Sequence, residues 1–292
     1  MLNEIYQSLD PVAFVIGPFQ VRWYGLAYIF GLVLAGVIIR AVAKRWKINI
    51  DVDSLLTMLI CALVGIVAGG RLGYVVFYGD GYFLEHPEHI LAFNMGGMSF
   101  HGAIVGLTVA AAVGAKLTKI PMFTWADLMV IGGSIGLFFG RLANFVNGDL
   151  WGAPTDLPWG VVFGGAAGEV ARHPSQLYEA CLEGLVCFVI LYLLSRRRPV
   201  FPRGFFTGVF FIVYAVARIA VEFVREPDIQ LGYLFGGWLT MGMVLSFVLF
   251  LVGFFLVALA LKRNMPQQGR LISVQDLDSA DDISEDSAPS TK

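Results

Sequence analysis

The chain has 292 residues, of which 57% are hydrophobic and only 14% are charged, and its mean hydropathy is +0.73. This composition excludes a soluble globular protein of the same length and indicates an integral membrane protein. The formal net charge of −2 gives no indication of a nucleic-acid partner, and we expect none.

Apolar runs of about 20 residues recur along the chain, each long enough to cross the hydrocarbon core of a bilayer as a helix. We predict an all-α integral membrane protein with seven transmembrane helices, at residues 21–43, 54–78, 97–115, 123–147, 176–195, 205–225 and 237–261. No linker divides these helices, so residues 1–262 are predicted to form one membrane domain, with a small external segment, 148–175, between helices four and five. Residues 263–292 are predicted to be a disordered acidic tail, because six carboxylates follow Arg270 among Ser, Ala and Pro.

The basic residues fall almost entirely on one side of the predicted membrane. Twelve Lys and Arg residues follow the odd-numbered helices, whereas the segments on the other side contain one, Arg172. Loops rich in Lys and Arg stay in the cytoplasm. We therefore predict that the N-terminus lies outside and the C-terminus inside.

Intramembrane polar residues collect in the outer half of the predicted bundle. Taken in chain order, they are Arg22 and Tyr24 in the first helix, Arg71 and Tyr74 in the second, Ser99 and His101 in the third, Arg141, Asn144 and Asn147 in the fourth, Gln176, Glu179 and Glu183 in the fifth, and Tyr214, Arg218, Glu222 and Arg225 in the sixth. Because Tyr214, Arg218 and Glu222 are four residues apart, they share one face of the sixth helix.

The arginines of this set are candidates for function, because a guanidinium near the bilayer centre costs roughly 2.5–3.5 kcal/mol on insertion scales. Their planar forks of N–H donors suit phosphate oxygens, which favours a cationic cavity that binds an anionic phospholipid headgroup. The alternative is a set of internal ion pairs, in which Arg218 pairs with Glu222 and either Glu179 or Glu183 neutralises another arginine.

His101 lies at the start of the third helix, beside glycine and serine. Imidazole is the natural base near neutral pH, which makes this residue a candidate catalytic base, and a hydrogen-bonded structural role is the alternative. Three cysteines lie inside predicted helices without a second ligand nearby, and we interpret them as small packing residues: Cys61, Cys181 and Cys187.

One outer loop carries residues of the kind that bind metals. His86 and His89 lie beside Glu85 and Glu88, but Pro87 interrupts the stretch. We expect no metal site there, and no cofactor elsewhere in the chain.

Seven motifs together resemble the bacterial phosphatidylglycerol:prolipoprotein diacylglyceryl transferase family. They occur in the family's order across the first six helices, at Trp23–Leu26, Gly69–Tyr74, Gly96–Gly102, Gly140–Phe145, Asn147–Gly152, Arg172–Glu179 and Arg218–Phe223. The sequence departs from the family at Asp149, where Glu is common, and at Ala143, where Gly is common. The shorter carboxylate argues against a direct catalytic role for Asp149.

The resemblance implies a reaction at the outer face of the bacterial inner membrane. A diacylglyceryl group moves from phosphatidylglycerol to the lipobox cysteine in the signal peptide of a prolipoprotein, which gives a thioether and releases glycerol phosphate. The implied partners are therefore phosphatidylglycerol, prolipoproteins and the surrounding membrane lipids. No metal is needed, and the nucleophile belongs to the substrate.

The resemblance, taken with the polar face of the sixth helix, also implies roles for particular residues. We expect catalytic roles for Tyr24, His101, Arg141 and Arg218. Phosphatidylglycerol binding is expected from Arg71, Arg141, Asn144, Gly152, Tyr214, Glu222 and Arg225.

Two other classes of protein would use the same residues. A transporter or flippase for an anionic lipid would bind its cargo with the same arginines, although the polar groups gather on one side and not at the midplane. A non-catalytic assembly protein would use the arginines as internal ion pairs. We predict the transferase.

Overall fold

The computed structural model describes residues 1–79, 81–92, 97–226, 234 and 237–269. Inside two of the helices, the side chains of Phe77, Tyr78, Phe100 and His101 lie outside the described part of the structure. Residues 270–292 of the predicted acidic tail, 263–292, also lie outside the described residues.

Helices make up most of the described chain. In order, they are α1 (Leu2–Gln7), α2 (Trp23–Trp46), α3 (Val52–Tyr78), α4 (Tyr82–Glu85), α5 (Phe100–Thr118), α6 (Met122–Asn147), α7 (Ser175–Glu179), α8 (Cys187–Ser195), α9 (Phe205–Glu222) and α10 (Met241–Arg263). A π-helix, Ala180–Val186, joins α7 to α8 without a break. Short 3₁₀ turns occupy Pro87–His89 and Gly165–Ala167.

Within the described residues, six helical segments are long and apolar enough to cross a membrane: α2, α3, α6, the continuous run Ser175–Ser195, α9 and α10. The third predicted span coincides with α5, whose apolar part, Gly102–Thr118, is shorter. The prediction of an all-α membrane protein is therefore confirmed at the level of six candidate spans. The observed helix boundaries differ from the predicted ones by a few residues, most clearly in the last helix, which begins at Met241 and not at residue 237.

In the described part of the chain, two small hairpins accompany the helices, and the hydropathy pattern did not predict them. Strands β1 (Val12–Ile16) and β2 (Phe19–Arg22) pair antiparallel directly before α2. Strands β3 (Val161–Val162) and β4 (Ala171–Arg172) form a second antiparallel pair between α6 and α7. Strands of two to five residues are too short for a recognisable period in the sequence.

The chain separates into two compact units. The first contains Met1–Trp46 and Ala126–Gln267, and the second contains Lys47–Trp125 together with the described residues after Gln267. Each unit is held together by its own close helix contacts.

Glycines form the contact between α3 and α5 in the second unit. A Cβ atom added to Gly65 would lie 2.6 Å from the carbonyl oxygen of Gly106, and one added to Gly73 would lie 2.5 Å from the Cα atom of Gly102. Small residues let helix backbones approach this closely in a bilayer. Gly65 and Gly73 therefore pack directly against the backbone of α5.

In the first unit, helix α9 begins against a buried carboxylate on α6. Asp127 accepts hydrogen bonds from the backbone N–H groups of Gly204 and Thr207, both at 2.8 Å, and from the Thr207 hydroxyl at 2.7 Å. The oxygen that accepts from Gly204, Oδ2, also accepts from Nε2 of Gln267 at 2.7 Å. Because the first N–H groups of a helix lack partners within it, Asp127 caps α9 from a neighbouring helix.

Candidate active site

A cluster of charged side chains lies inside the first unit. Three arginines and three glutamates form it, and we call these six residues the ion cluster: Arg141, Glu179, Glu183, Arg218, Glu222 and Arg225. Helix α6 contributes the first arginine, α7 and the π-helix the first two glutamates, α9 the next pair, and the chain just after α9 the last arginine.

Glu179 is the centre of the ion cluster. Its Oε1 atom is 2.8 Å from Nη1 of Arg218 and 2.6 Å from Nη1 of Arg225, and its Oε2 atom is 2.9 Å from Nη1 of Arg141. The residue is 0% exposed. One buried carboxylate therefore fixes three guanidinium groups from different parts of the chain.

The other two glutamates each hold part of the arrangement. Glu183 Oε2 is 3.4 Å from Nη2 of Arg141, and Glu222 Oε2 is 3.0 Å from Nη2 of Arg218. The Thr240 hydroxyl donates to Glu222 Oε1 at 2.9 Å. A Cβ atom added to Gly242 would lie 2.6 Å from that same oxygen, so the start of α10 closes over Glu222.

The formal charges of the ion cluster cancel, because three carboxylates face three guanidinium groups. The ion pairs that the sequence analysis named as an alternative are present: Arg218 contacts Glu222, and Glu179 contacts Arg141, Arg218 and Arg225. The predicted binding of a phospholipid headgroup by these arginines stays a prediction. A guanidinium carries five N–H donors, more than these carboxylate contacts use, so donors remain for a phosphate. Carboxylates that hold the arginines in place also pre-organise them for an anion.

The π-helix helps to position Glu179, the residue directly before it, and Glu183, which it contains. It begins directly after Glu179 and contains Glu183, and the backbone there lies against α6: a Cβ atom added to Gly184 would be 2.6 Å from the backbone nitrogen of Phe138. Short π segments within helices are frequent at functional sites. This contact brings Glu179 and Glu183 within reach of Arg141, one turn further along α6.

The loop that follows α6 carries two residues in the left-handed region of backbone conformation. Gly148 has a φ of 72° and Leu150 a φ of 60°. The backbone N–H of Asp149 donates to the carbonyl oxygen of Asn144 at 3.0 Å, which folds the loop back onto the helix.

Gly152 ends this loop between two backbone segments. Its N–H donates to the carbonyl oxygen of His173 at 2.9 Å, and it pairs antiparallel with Arg225. A Cβ atom added here would lie 2.5 Å from the carbonyl oxygen of Val224 and 2.7 Å from Cβ of His173. Gly152 therefore has a packing reason to be glycine, and its predicted role in phospholipid binding stays a prediction.

Two predicted tyrosines lie near the ion cluster. Tyr214 is buried on α9, one turn before Arg218, and interacts electrostatically with Glu183 and Arg141. Tyr24, at the start of α2, has its hydroxyl 3.1 Å from that of Tyr28 and also interacts electrostatically with Arg141. Asn144 follows Arg141 by three residues on α6, so the two side chains share a face of that helix.

A second ion pair lies beside the loop. Arg172 Nη1 is 2.7 Å from Glu226 Oε2 and donates to the carbonyl oxygen of Gly152 at 3.2 Å. Partial burial lowers the pKa of the neighbouring His173 imidazole, so this ring is neutral near pH 7.

Arg71 belongs to the second unit, where it contacts backbone carbonyl groups. It donates from Nε to Ile90 at 2.7 Å, from Nη2 to His89 at 2.6 Å and from Nη1 to Gly97 at 3.1 Å, and it is 2% exposed. These bonds anchor the loop before α5, a role that its sequence position did not reveal. Its predicted contact with phospholipid stays a prediction.

His101 is the second residue of α5 in the same unit. The helix is capped by Ser99, whose hydroxyl accepts from the N–H of Gly102 at 3.2 Å, and the N–H of Ser99 donates to the carbonyl oxygen of Gly70 at 2.8 Å. The His101 side chain lies outside the described residues, so its role as a base stays a prediction.

The loop residues that the sequence analysis discounted as a metal site do come together. One possible ligand atom from each of His86, Glu88 and His89 lies within 4.8 Å of the others. Partners within the loop already hold two of these groups: His86 Nδ1 is 3.4 Å from Glu88 Oε1, and His89 Nδ1 is 2.6 Å from the Tyr82 hydroxyl.

The sequence did not reveal the residues that hold the charged side chains and the loop after α6 in place. Glu179 was considered only as a possible counter-charge, although it is central, and the hydrogen bonds of Ser175, Gln176 and Thr240 were not foreseen. The available signal was the spacing of Glu179 and Glu183, which places two carboxylates on one face of a helix opposite a helix that carries an arginine.

These features define a predominantly helical membrane protein with an arginine-rich polar site inside its first unit. A family model for prolipoprotein diacylglyceryl transferase matches residues 11–259. The chain is 48% identical over 262 residues to the phosphatidylglycerol–prolipoprotein diacylglyceryl transferase of Rhizobium meliloti (strain 1021). The aligned residues make up 87% of this chain and 93% of that protein. The chain is 46% identical over 264 residues to the protein of that name from Methylocella silvestris, with 89% and 96% covered, and 45% identical over 260 residues to that from Methylococcus capsulatus, with 89% and 98% covered.

The chain therefore belongs to the prolipoprotein diacylglyceryl transferase family, and the resemblance drawn from its motifs is confirmed.

Proposed function

We propose that this chain transfers the diacylglyceryl group of phosphatidylglycerol to a cysteine thiol of a prolipoprotein. The family membership supports the reaction, and the ion cluster is the observation that supports its location. Three guanidinium groups meet at one fully buried carboxylate, where their positions are fixed before any ligand arrives.

The reaction exchanges one bond for another at a glycerol carbon. The substrate sulfur, as thiolate, attacks the diacylglycerol carbon that bears the phosphate, a C–S bond forms, and the C–O bond breaks with its electron pair on the phosphate oxygen. Glycerol phosphate leaves with the additional negative charge. Arg141 and Arg218 stabilise that charge, and their effect is larger because water is largely excluded from the buried cluster.

The remaining predicted residues have separate roles in this proposal. Arg225 and Asn144 supply further donors to the headgroup, Glu222 orients Arg218, and Tyr214 and Tyr24 border the arginines. Gly152 lets the backbone of Arg225 lie against the external segment. A thiol with a pKa near 8.5 is mostly protonated at neutral pH, so a base is required, and His101 takes the proton in this proposal. Arg71 supports the chain leading to His101.

The charge distribution of the sequence supports an orientation. The proposed topology has the N-terminus outside, the C-terminus inside, seven spans and the segment 148–175 at the periplasmic surface of the inner membrane. Cysteines introduced one at a time at Asp156 and at Arg197, in a variant whose three native cysteines are replaced by alanine, test it. A membrane-impermeant maleimide should label the first in intact cells and the second only after lysis.

The activity is tested with purified protein, labelled phosphatidylglycerol and a peptide containing a lipobox cysteine. We expect a thioether product detectable by mass spectrometry and released glycerol phosphate. Arg141→Ala and Arg218→Ala should abolish product, whereas Arg197→Ala, a matched loss of an exposed arginine that lies over the ring of Phe201, should not. Full product formation by Arg141→Ala would contradict the proposed site, and lipid movement without a thioether would indicate the transporter alternative.

A further inference from the structure

Two side chains at the start of α7 bond to the backbone of the loop after α6. The Ser175 hydroxyl donates to the carbonyl oxygen of Leu150 at 2.9 Å, and Gln176 Nε2 donates to that of Asp149 at 2.6 Å. Both donor residues are fully buried. We call these two hydrogen bonds the loop latch.

The loop needs external support because of its conformation. Leu150 has a φ of 60° between the left-handed Gly148 and the crowded Gly152. Residues with a Cβ atom rarely adopt this conformation, and they keep it only where surrounding contacts require it. The loop latch supplies such contacts at Leu150 itself and at the residue before it.

The element that carries the loop latch also holds the guanidinium of Arg141. Helix α7 runs from Ser175 to Glu179, and Glu179 Oε2 contacts Nη1 of Arg141 at 2.9 Å. Glu179 thus fixes the guanidinium of Arg141 to α7, and Gln176 fixes the loop at the end of α6 to the same helix. Helices α6 and α7 are therefore connected at two points.

We propose that Ser175 and Gln176 are positioning residues for the transfer reaction, which hold the end of α6 so that Arg141 meets the departing phosphate in register. This inference rests on the proposed function. The two residues act through the backbone of Asp149 and Leu150 and need no contact with the lipid. Small displacements of a positioned group are costly, since a misplacement of about 1 Å can lower a rate on the order of 10²-fold.

The test compares two losses of the same kind of hydrogen bond. Gln176→Ala removes the amide donor to Asp149, and Gln7→Ala removes an amide donor to the carbonyl oxygen of Val162, a 2.7 Å bond in the same unit. We expect kcat for thioether formation to fall about tenfold or more in Gln176→Ala and to stay within about twofold in Gln7→Ala. KM for phosphatidylglycerol should change little, because Arg218 and Arg225 keep their partners.

Ser175 provides a second, independent pair of variants. Ser175→Ala should lower kcat, and Ser175→Thr, which keeps the hydroxyl donor, should recover most of the loss. This pair also decides the question if Gln176→Ala does not fold. The folded fraction of each variant is measured by size-exclusion chromatography and thermal unfolding in detergent, and kcat is expressed per folded enzyme.

A purely structural role makes different predictions, and either would overturn the proposal. One is a loss of folded protein with kcat per folded molecule unchanged, and the other is equal kcat in Gln176→Ala and Gln7→Ala. If the unaltered protein forms no thioether, the proposed function fails and this role fails with it. If the unaltered protein is active and the loop latch variants match it, the proposed function stands and this inference alone is wrong.

Discussion

Glu179→Gln is the substitution that most directly tests the logic of the ion cluster. The change keeps the size of the side chain but removes the negative charge that faces Arg141, Arg218 and Arg225 at 2.6–2.9 Å. Three guanidinium groups, whose side chains are 11–19% exposed, would then face two carboxylates, which leaves one positive charge without compensation.

The structure sets the expected size of the effect. Removing one partner from a buried ion pair destabilises a protein by about 3–5 kcal/mol, because the remaining charge stays buried. The amide nitrogen also turns a donor toward at least one guanidinium, so that arginine must move away. A displacement of about 1 Å corresponds to a loss of roughly 10²-fold in rate, or about 2.7 kcal/mol of transition-state stabilisation.

The assay separates kcat from KM. The variant loses a negative charge, so its attraction for an anionic phospholipid should not weaken, and the loss of activity should fall on kcat. Glu226→Gln is the matched control, because Glu226 pairs with one arginine, Arg172, at 2.7 Å but is 42% exposed. Exposed pairs contribute about 0.2–1 kcal/mol, so this control should remain nearly as stable and active as the unaltered protein.

Two results would refute the reasoning. A kcat within about threefold of the unaltered protein would mean that Glu179 does not position the arginines. A raised KM with an unchanged kcat would mean that the carboxylate acts in ground-state binding only.

Three further substitutions test other contacts. Gly152→Ala adds a methyl group 2.5 Å from the carbonyl oxygen of Val224, and we expect a loss of about 1–3 kcal/mol in unfolding free energy together with a tenfold or greater loss of activity, measured in detergent. Gly242→Ala places a methyl group 2.6 Å from Glu222 and should lower thioether formation in the same assay, whereas Gly133→Ala, with open space around its added carbon, should not. Arg71→Lys replaces a guanidinium that donates to three carbonyl oxygens with a single ammonium group. We expect the unfolding free energy to fall by about 1–3 kcal/mol, seen as a lower melting temperature, and an unchanged melting temperature would contradict the anchoring role.

The helical spans could be predicted from the sequence because membrane insertion depends on runs of apolar residues, which composition records directly. The polar face of α9 could also be predicted, since Tyr214, Arg218 and Glu222 repeat at the helical period. The sequence could not predict whether the arginines are free or paired, because pairing depends on the distance of α7 from α6 and α9. That distance is set by the packing of Gly184 against Phe138.

Contacts to the backbone were beyond sequence reasoning for another reason. Gln176 bonds to the carbonyl oxygen of Asp149, and Arg71 bonds to those of His89, Ile90 and Gly97. Every residue has a backbone carbonyl oxygen, so the residue types in the sequence do not indicate which carbonyl group a side chain will contact. The same holds for Asp127, whose partners include the first N–H groups of α9.

The neutrality of the ion cluster has a consequence for how the protein is made. Taken separately, α6 brings the positive Arg141 into the bilayer, and the run from α7 into the π-helix brings two negative charges, Glu179 and Glu183. Each segment alone therefore pays an insertion penalty that disappears only when the helices meet. We therefore expect these helices to associate soon after they insert. A variant that lacks one of the charged partners should leave the insertion machinery more slowly and should be degraded more often than the unaltered protein.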